Sequence, residues 1–219
     1  CQTHRAYVWG GQVEKHETEE EEMGLFLQAM IMPDCKEAEA RAAVEAVAQK
    51  YACSFDALES GAFAEEGMII SELVPDECRY AESDDGVCIL FNDGCIGYDA
   101  LAKAVSGEAG KVCLLLYIYD GDYWGYELYD QGDFVDQFNP MPDYFEEVSE
   151  EKILKSKGDA QIIARYFHVE KASVERYLVR WSEEMLDEKA YADDEFGYED
   201  WQMADFMRKL GYPYDFDEE

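Results

Sequence analysis

The chain has 219 residues, 48% of them hydrophobic, with 16 Tyr, 11 Phe and 4 Trp. That much apolar surface excludes a disordered chain, because its burial offsets the entropy lost when the backbone is ordered. The charge is very uneven: 51 Asp and Glu stand against 18 Lys and Arg, a formal net charge of −33. Such a surface repels nucleic acid and anionic lipid, so these partners are not expected, and it attracts basic proteins.

The first predicted elements are an extension, a strand and a helix. Residues 1–22 end in an acidic run, which predicts a mobile, solvated extension. The apolar run 23–33 predicts a buried strand. Asp34 then predicts a helix cap that Glu37 completes as a capping box, and the helix 35–52 carries small apolar residues at the 3.6-residue period.

Further elements complete a recognisable order. Strands are predicted at 67–74 and 86–93, and they should pair antiparallel because the acidic loop between them is too short for a crossover helix. A short helix follows at 97–110, and an apolar strand follows at 112–119. Strand, helix, strand, strand, helix, strand is the order of the split βαβ, or ferredoxin-like, motif.

The stretch from Tyr117 to Phe145 holds ten aromatic residues and predicts the main core. After a turn at 120–122, residues 123–138 predict two strands of a β-meander that extends the sheet. The prolines of 139–143 end it, because proline lacks a backbone donor and restrains the residue before it.

The C-terminal part has helical periodicity. Helices are predicted at 149–156, 158–167, 172–181 and 200–210. Their apolar faces are too few for an independent core, so we expect them to pack on the sheet. The predicted organisation is an α+β fold with the extension at 1–22, a sheet domain at 23–145 and a helical region at 146–219, forming one compact body.

Two features bear on cellular location and thiol chemistry. Seven cysteines occur without a C-x-x-C pair, which predicts reduced thiols that act as small hydrophobic side chains. No signal-peptide pattern opens the chain and no apolar run approaches a membrane span, so a cytoplasmic protein is expected. A nucleophile at Cys1 would need a base and an oxyanion site, which the adjoining residues do not supply.

Asp120-Gly121-Asp122 has the beginning of a calcium loop. The fifth and twelfth positions of such a loop fall on Trp124 and Gln131, which are not suitable ligands there, and strands flank the motif instead of helices. The residues therefore favour a hairpin turn, and no metal or other cofactor is predicted.

Catalytic motifs do not occur in the sequence: it has no phosphate-binding glycine loop, no metalloprotease motif and no nucleophile elbow. His168 closes a predicted helix, where a structural role suffices. Glu127 lies among aromatic residues and is either a carboxyl with a raised pKa or a solvent-facing residue of an alternating strand. An enzyme using carboxylates in an aromatic-lined cleft, near Glu127 and Asp122, is the alternative function.

Acidic and aromatic residues interleave near the C-terminus. An acidic face with aromatic anchors is what an immunity-type inhibitor presents to a cationic partner. A solvated face whose aromatic side chains turn inward is the competing interpretation. The leading prediction is a non-catalytic, acidic protein-binding module for a basic protein. The predicted partner-binding residues are Trp124, Tyr126, Glu127, Asp193, Asp194, Glu195 and Tyr198.

Two stretches carry a resemblance. YIYDGDYWGYELYDQGDFVDQFNPMPDYF at 117–145, and less clearly DDEFGYEDWQMADFMRKLG at 193–211, resemble uncharacterised bacterial proteins that share a Trp-containing hairpin followed by a Pro-rich turn. The resemblance implies a bacterial origin and no particular activity.

Overall fold

The computed structural model describes residues 24–54, 70–95, 97–185 and 188–216, so the predicted extension at 1–22 lies outside the described residues. The described strands are β1, Leu27–Pro33; β2, Ala52–Cys53; β3, Ile70–Ser71; β4, Arg79–Ser83; β5, Gly86–Leu90; β6, Val112–Tyr119; β7, Tyr123–Asp130; and β8, Asp133–Phe138. The described helices are α1, Glu37–Tyr51; α2, Tyr98–Ala109; α3, Glu150–Lys155; α4, Ala160–Phe167; and α5, Gln202–Lys209. None of these helices is long and apolar enough to cross a membrane.

Six of the strands form one antiparallel sheet in the order β4-β5-β1-β6-β7-β8. The predicted α+β class is confirmed, and so is the meander that adds β7 and β8 beyond β6. The sequence of β6, VCLLLYIY, is apolar at every position because both faces of the sheet are covered there. The finer ferredoxin-like assignment stays a prediction.

The two faces of the sheet differ in the side chains that cover them. Helices α1 and α2 cover one face with small and aliphatic side chains, such as Val44, Leu101 and Val105. The C-terminal region covers the other face, which is aromatic: Tyr177 and Phe206 pack there against the strands. One hydrophobic core therefore joins the sheet to the C-terminal region.

The beginning of α1 differs from the prediction at Asp34. Asp34 adopts a left-handed conformation with φ 53° in the turn after β1, and its N–H donates to the Asp85 carbonyl at 2.9 Å. The residue before the helix is Lys36, whose N–H donates to the Glu39 carboxylate at 3.1 Å. The predicted cap at Asp34 with Glu37 is therefore wrong by two residues, because Asp34 is used by the turn.

The predicted strand 67–74 is also wrong where it is described. Of residues 70–74, only Ile70–Ser71 forms a strand, and it pairs in parallel with β2. β5 pairs antiparallel with β1 and with β4, and β4 lies where the sequence predicts an acidic loop. β4 is polar because it lies at the edge of the sheet, where charged side chains are common and discourage pairing with other chains.

The C-terminal region contains less helix than predicted. Ser149 and Asp159 accept hydrogen bonds from the first turns of α3 and α4, and both helices occur where they were expected, as does α5. The helix predicted at 172–181 is wrong: a short 3-10 turn at Lys171–Ser173 is followed by irregular backbone. Its apolar residues are still buried, but they are mostly β-branched or aromatic and have modest helix propensity.

Candidate protein-binding surface

Two of the predicted partner-binding residues, Trp124 and Tyr126, are fully buried on the aromatic face of the sheet. The indole N–H of Trp124 donates to Gln202 Oε1 at 3.2 Å, and the Tyr126 hydroxyl donates to Asp136 Oδ2 at 2.7 Å. Phe206 stacks on Tyr126 with ring centroids 5.9 Å apart. These side chains hold the C-terminal region on the sheet, so the prediction that they contact a partner is corrected.

Asp194 and Tyr198, also predicted to contact a partner, are buried as well. Asp194 accepts the Tyr177 hydroxyl at 2.6 Å and the Tyr191 N–H at 2.8 Å. Arg208 approaches the same carboxylate at 3.3 Å. Asp194 therefore fastens its loop to α5 and to the core, and it is not a surface charge.

Asp193 and Glu195 are exposed, but only part of their charge is available. Asp193 lies 2.7 Å from Lys209 Nζ, and the hydrogen bond from Lys209 lowers the pKa of this carboxyl. The backbone N–H of Glu195 donates to the buried Asp205 carboxylate at 2.8 Å. Arg208 and Lys209 of α5 thus compensate Asp193 and Asp194, whereas the Glu195 carboxylate forms no ion pair among the described residues.

Glu127 lies on the face of the sheet that α1 and α2 cover. Burial, assisted by the negative charge of Asp99 on α2, raises its pKa to about 8. Its Oε2 is buried and has no hydrogen-bond partner among the described residues. Asp122 lies five residues earlier, about 16 Å away at the rise of an extended strand, and the groove that Asp122 lines does not include Glu127. The two carboxylates of the predicted cleft are therefore not brought together.

A different set of aromatic side chains reaches the surface at the turn between β6 and β7. We call Phe26, Tyr119, Tyr144 and Phe145 the aromatic patch. Ring centroids lie 5.1 Å apart for Phe26 and Tyr119, 5.3 Å apart for Tyr119 and Phe145, and 4.9 Å apart for Tyr144 and Phe145. Phe145 is 71% exposed and Phe26 is 43% exposed. The patch is therefore contiguous and accessible.

Local backbone structure brings these residues together. The Gly121 N–H donates to the Leu25 carbonyl at 2.9 Å, which ties the turn after β6 to the segment before β1. In the Pro-rich turn, Asn139 Oδ1 accepts the Met141 N–H at 2.7 Å, and the Met141 carbonyl accepts the Tyr144 N–H at 3.1 Å. Two successive turns thus fold the chain back, so that Tyr144 lies against Tyr119.

Acidic side chains surround the aromatic patch. The exposed members of this acidic rim are Asp120, Asp122, Asp143, Glu146 and Glu147. Asp143 pairs with Arg180 at 2.6 Å, and Asp122 accepts a short hydrogen bond from the Tyr144 hydroxyl. Within the described ranges, the other members form no ion pair. The rim therefore keeps most of its negative charge.

A groove adjoins the aromatic patch. It shares Tyr144 with the patch, and Asp122 and Asp143 with the acidic rim. Its volume is about 640 Å³, and it is lined by Asp122, Pro140, Met141, Asp143, Tyr144, Arg180, Trp181 and Ser182. The backbone N–H of Trp181 donates to the Pro140 carbonyl at 3.2 Å, which joins the segment 180–182 to the Pro-rich turn. The indole Nε1 of Trp181 is buried and has no hydrogen-bond partner among the described residues.

Within the aromatic stretch, the side chains chosen from the sequence are buried, and others are exposed. Aromatic density indicated 117–145, and the strand residues Trp124 and Tyr126 were chosen within it. Alternation places both on one face of β7, which the C-terminal region covers. Tyr144 and Phe145 were missed, although their position just after a Pro-rich turn is typical of surface segments.

Comparison of the chain with models of known protein families, with curated proteins and with solved structures finds no match.

Proposed function

We propose that this chain is a non-catalytic, cytoplasmic protein-binding module that docks a basic protein on the aromatic patch. The main support for this proposal is the contiguous, exposed aromatic surface, which carboxylates surround. Exposed aromatic side chains supply large contact area at low entropic cost and are frequent anchors of interfaces. An uncompensated acidic rim would attract a cationic partner and orient it on approach.

The charge of the whole chain supports the same partner class. A formal net charge of −33 gives a field that accelerates association with cations and disfavours acidic competitors. An inhibitor of the immunity type, which blocks a cationic protein by occupying its surface, has these features. Catalysis by paired carboxylates is less well supported, because Asp122 lies in the turn before β7, far from Glu127 on that strand.

Selection from a display library of random-sequence peptides, with the whole chain as bait, tests this function. We expect the selected peptides to be rich in Lys or Arg and to include apolar anchors. Their affinity should fall steeply between about 0.1 M and about 1 M salt, because the Debye length shrinks from about 10 Å to about 3 Å. Selection of acidic or uncharged peptides would contradict the proposal.

A matched pair of variants locates the binding surface. Phe145→Ala should weaken the selected peptides about tenfold or more, as expected for removal of an interface anchor. Phe134→Ala is the control, because Phe134 is 56% exposed but lies at the other end of the β7–β8 hairpin. Equal affinity of the two variants for the selected peptides would overturn the assignment of the patch.

A further inference from the structure

The groove beside the aromatic patch is lined by two carboxylates and two aromatic side chains, Tyr144 and Trp181. Trp181 is only 8% exposed, and its indole Nε1 is itself buried, so a ligand in the groove does not reach this N–H. Recognition in the groove therefore depends on its charge and on its aromatic side chains.

The carboxylates that line the groove attract a cation. Asp122 and Asp143 line the groove, and Arg180 is the one cation among its lining residues. Arg180 pairs with Asp143, which leaves the Asp122 carboxylate with the Tyr144 hydroxyl as its described partner. The groove keeps a net negative charge, and its aromatic wall offers ring faces of the kind on which cationic side chains pack.

We propose that the groove binds an extended peptide segment through one Lys or Arg side chain. The cationic group lies against Asp122 and the Tyr144 ring. Pro140 and Met141 contact the aliphatic stem of the side chain. This inference rests on the proposed function and adds the chemical feature that the groove recognises.

Charge complementarity selects this occupant over others. A peptide with an acidic side chain would meet Asp122 and Asp143 at close range, and a purely apolar ligand would leave the net negative charge of the groove uncompensated. A Lys or Arg side chain compensates this charge. The groove volume of about 640 Å³ lies within the range of small-ligand sites.

The test is titration of the 15N-labelled chain with capped tripeptides, observed through the indole resonances of its Trp residues. The probes are acetyl-Ala-Lys-Ala-amide and acetyl-Ala-Arg-Ala-amide, with the Glu and norleucine analogues as controls. Trp181→Phe assigns the Trp181 resonance by removing it. We expect the Lys and Arg peptides to shift this resonance in a saturable manner and the controls to leave it in place. No shift, or an equal shift with norleucine, would overturn the inference.

A charge variant checks the carboxylate. Asp122→Asn retains an acceptor for Tyr144 but removes the charge, and it should weaken the Lys peptide about tenfold, as expected for one charged hydrogen bond. Asp84→Asn, in the turn between β4 and β5, is the control and should leave the affinity unchanged. Equal affinity of both variants and the native chain would contradict the role of Asp122.

Failure of the groove and failure of the docking function give different results. If the tripeptides do not move Trp181 while Phe145→Ala still weakens the display-selected peptides, the patch binds and the groove does not. If the tripeptides move Trp181 while Phe145→Ala changes nothing, the groove stands as a site for cationic residues and the aromatic patch is not the docking surface.

Discussion

Two clusters in this molecule combine acidic with aromatic residues, and they use them in opposite ways. In the cluster at 191–208, the carboxylates of Asp194 and Asp205 are buried beside Arg208, and Tyr198 is turned inward. At the turn between β6 and β7, the aromatic patch is open and its rim carries only one described ion pair, from Arg180. The same residue types therefore form a buried, stabilising network in one place and an accessible surface in the other.

The difference lies in what each cluster has within reach. Helix α5 supplies two cations to the first cluster, and the loop supplies the backbone N–H donors of Tyr191, Glu195 and Phe196. The carboxylates can therefore be buried without a large uncompensated desolvation cost. The rim around the patch adjoins turns with few cations, and its carboxylates stay in water. Nearby cations and donors, more than local composition, decide whether an acidic cluster is internal or external.

The largest expected effect comes from removing Asp194. Asp194→Ala would leave the buried Tyr177 hydroxyl and the Tyr191 N–H without their acceptor and would deprive Arg208 of a partner. Loss of one partner of a buried charged network typically costs about 3–5 kcal/mol of unfolding free energy. Urea unfolding measures it. Asp193→Ala removes an exposed carboxylate of the same cluster and should cost much less than Asp194→Ala, because water screens an exposed ion pair. Equal losses would contradict a structural role specific to Asp194.

A smaller effect, and one that depends on pH, is expected at Glu127, a half-buried residue whose Oε2 is buried and whose carboxyl forms no ion pair among the described residues. Below its ordinary pKa of 4.5 the group is protonated in both the folded and the unfolded chain. From 4.5 to about 8 the unfolded chain releases the proton while the folded chain retains it, so this group makes the protein less stable as pH rises. Above about pH 8 both forms of the chain are deprotonated at Glu127, and the loss of stability is complete.

Glu127→Gln should remove this pH dependence. The variant should gain stability relative to the native chain as pH rises through that window, and the two should differ little in mildly acidic buffer. Urea unfolding at several pH values measures the difference. Asp99, the charged residue on α2 that raises this pKa, gives the control: Asp99→Asn should shift the transition to lower pH. Parallel pH profiles of the Glu127→Gln variant and the native chain would contradict a buried, protonated Glu127.

The smallest effect on stability is expected within the aromatic patch. Phe145 is largely exposed, so Phe145→Ala should change the unfolding free energy by no more than about 0.5 kcal/mol. Trp124→Ala, on the buried face of the same meander, should cost about 3–5 kcal/mol. Thermal or urea unfolding of both variants gives the comparison. A loss at Phe145 as large as that at Trp124 would mean that the patch belongs to the core.

The sequence predicted the elements with strong periodicity or long apolar runs. Strands β1, β5, β6, β7 and β8 and helices α1, α2 and α5 are found close to their expected positions. β4 was missed because its polar sequence is suited to a sheet edge, and a strand pattern there is weak. The helix at 172–181 was predicted from spacing alone, and the structure buries the same residues from irregular backbone.

The candidate site was harder to predict for a physical reason. Trp124 is buried because a C-terminal segment far away in sequence covers this face of β7. Phe145 follows the Pro-rich turn and is left exposed. Similarly, the Arg208 pairing that internalises Asp194 joins residues 14 positions apart. Composition located the aromatic stretch, but only the tertiary arrangement separates its buried side chains from its exposed ones.

Site-specific photo-crosslinking tests the central claim most directly. A benzophenone amino acid is placed at position 145, or at position 134 as the matched exposed control, and each chain is irradiated with a display-selected basic peptide. We predict crosslinks from position 145 that decline at high salt, and none above background from position 134. Crosslinks from position 134 alone, or equally from both positions, would contradict the assignment of the aromatic patch as the docking surface.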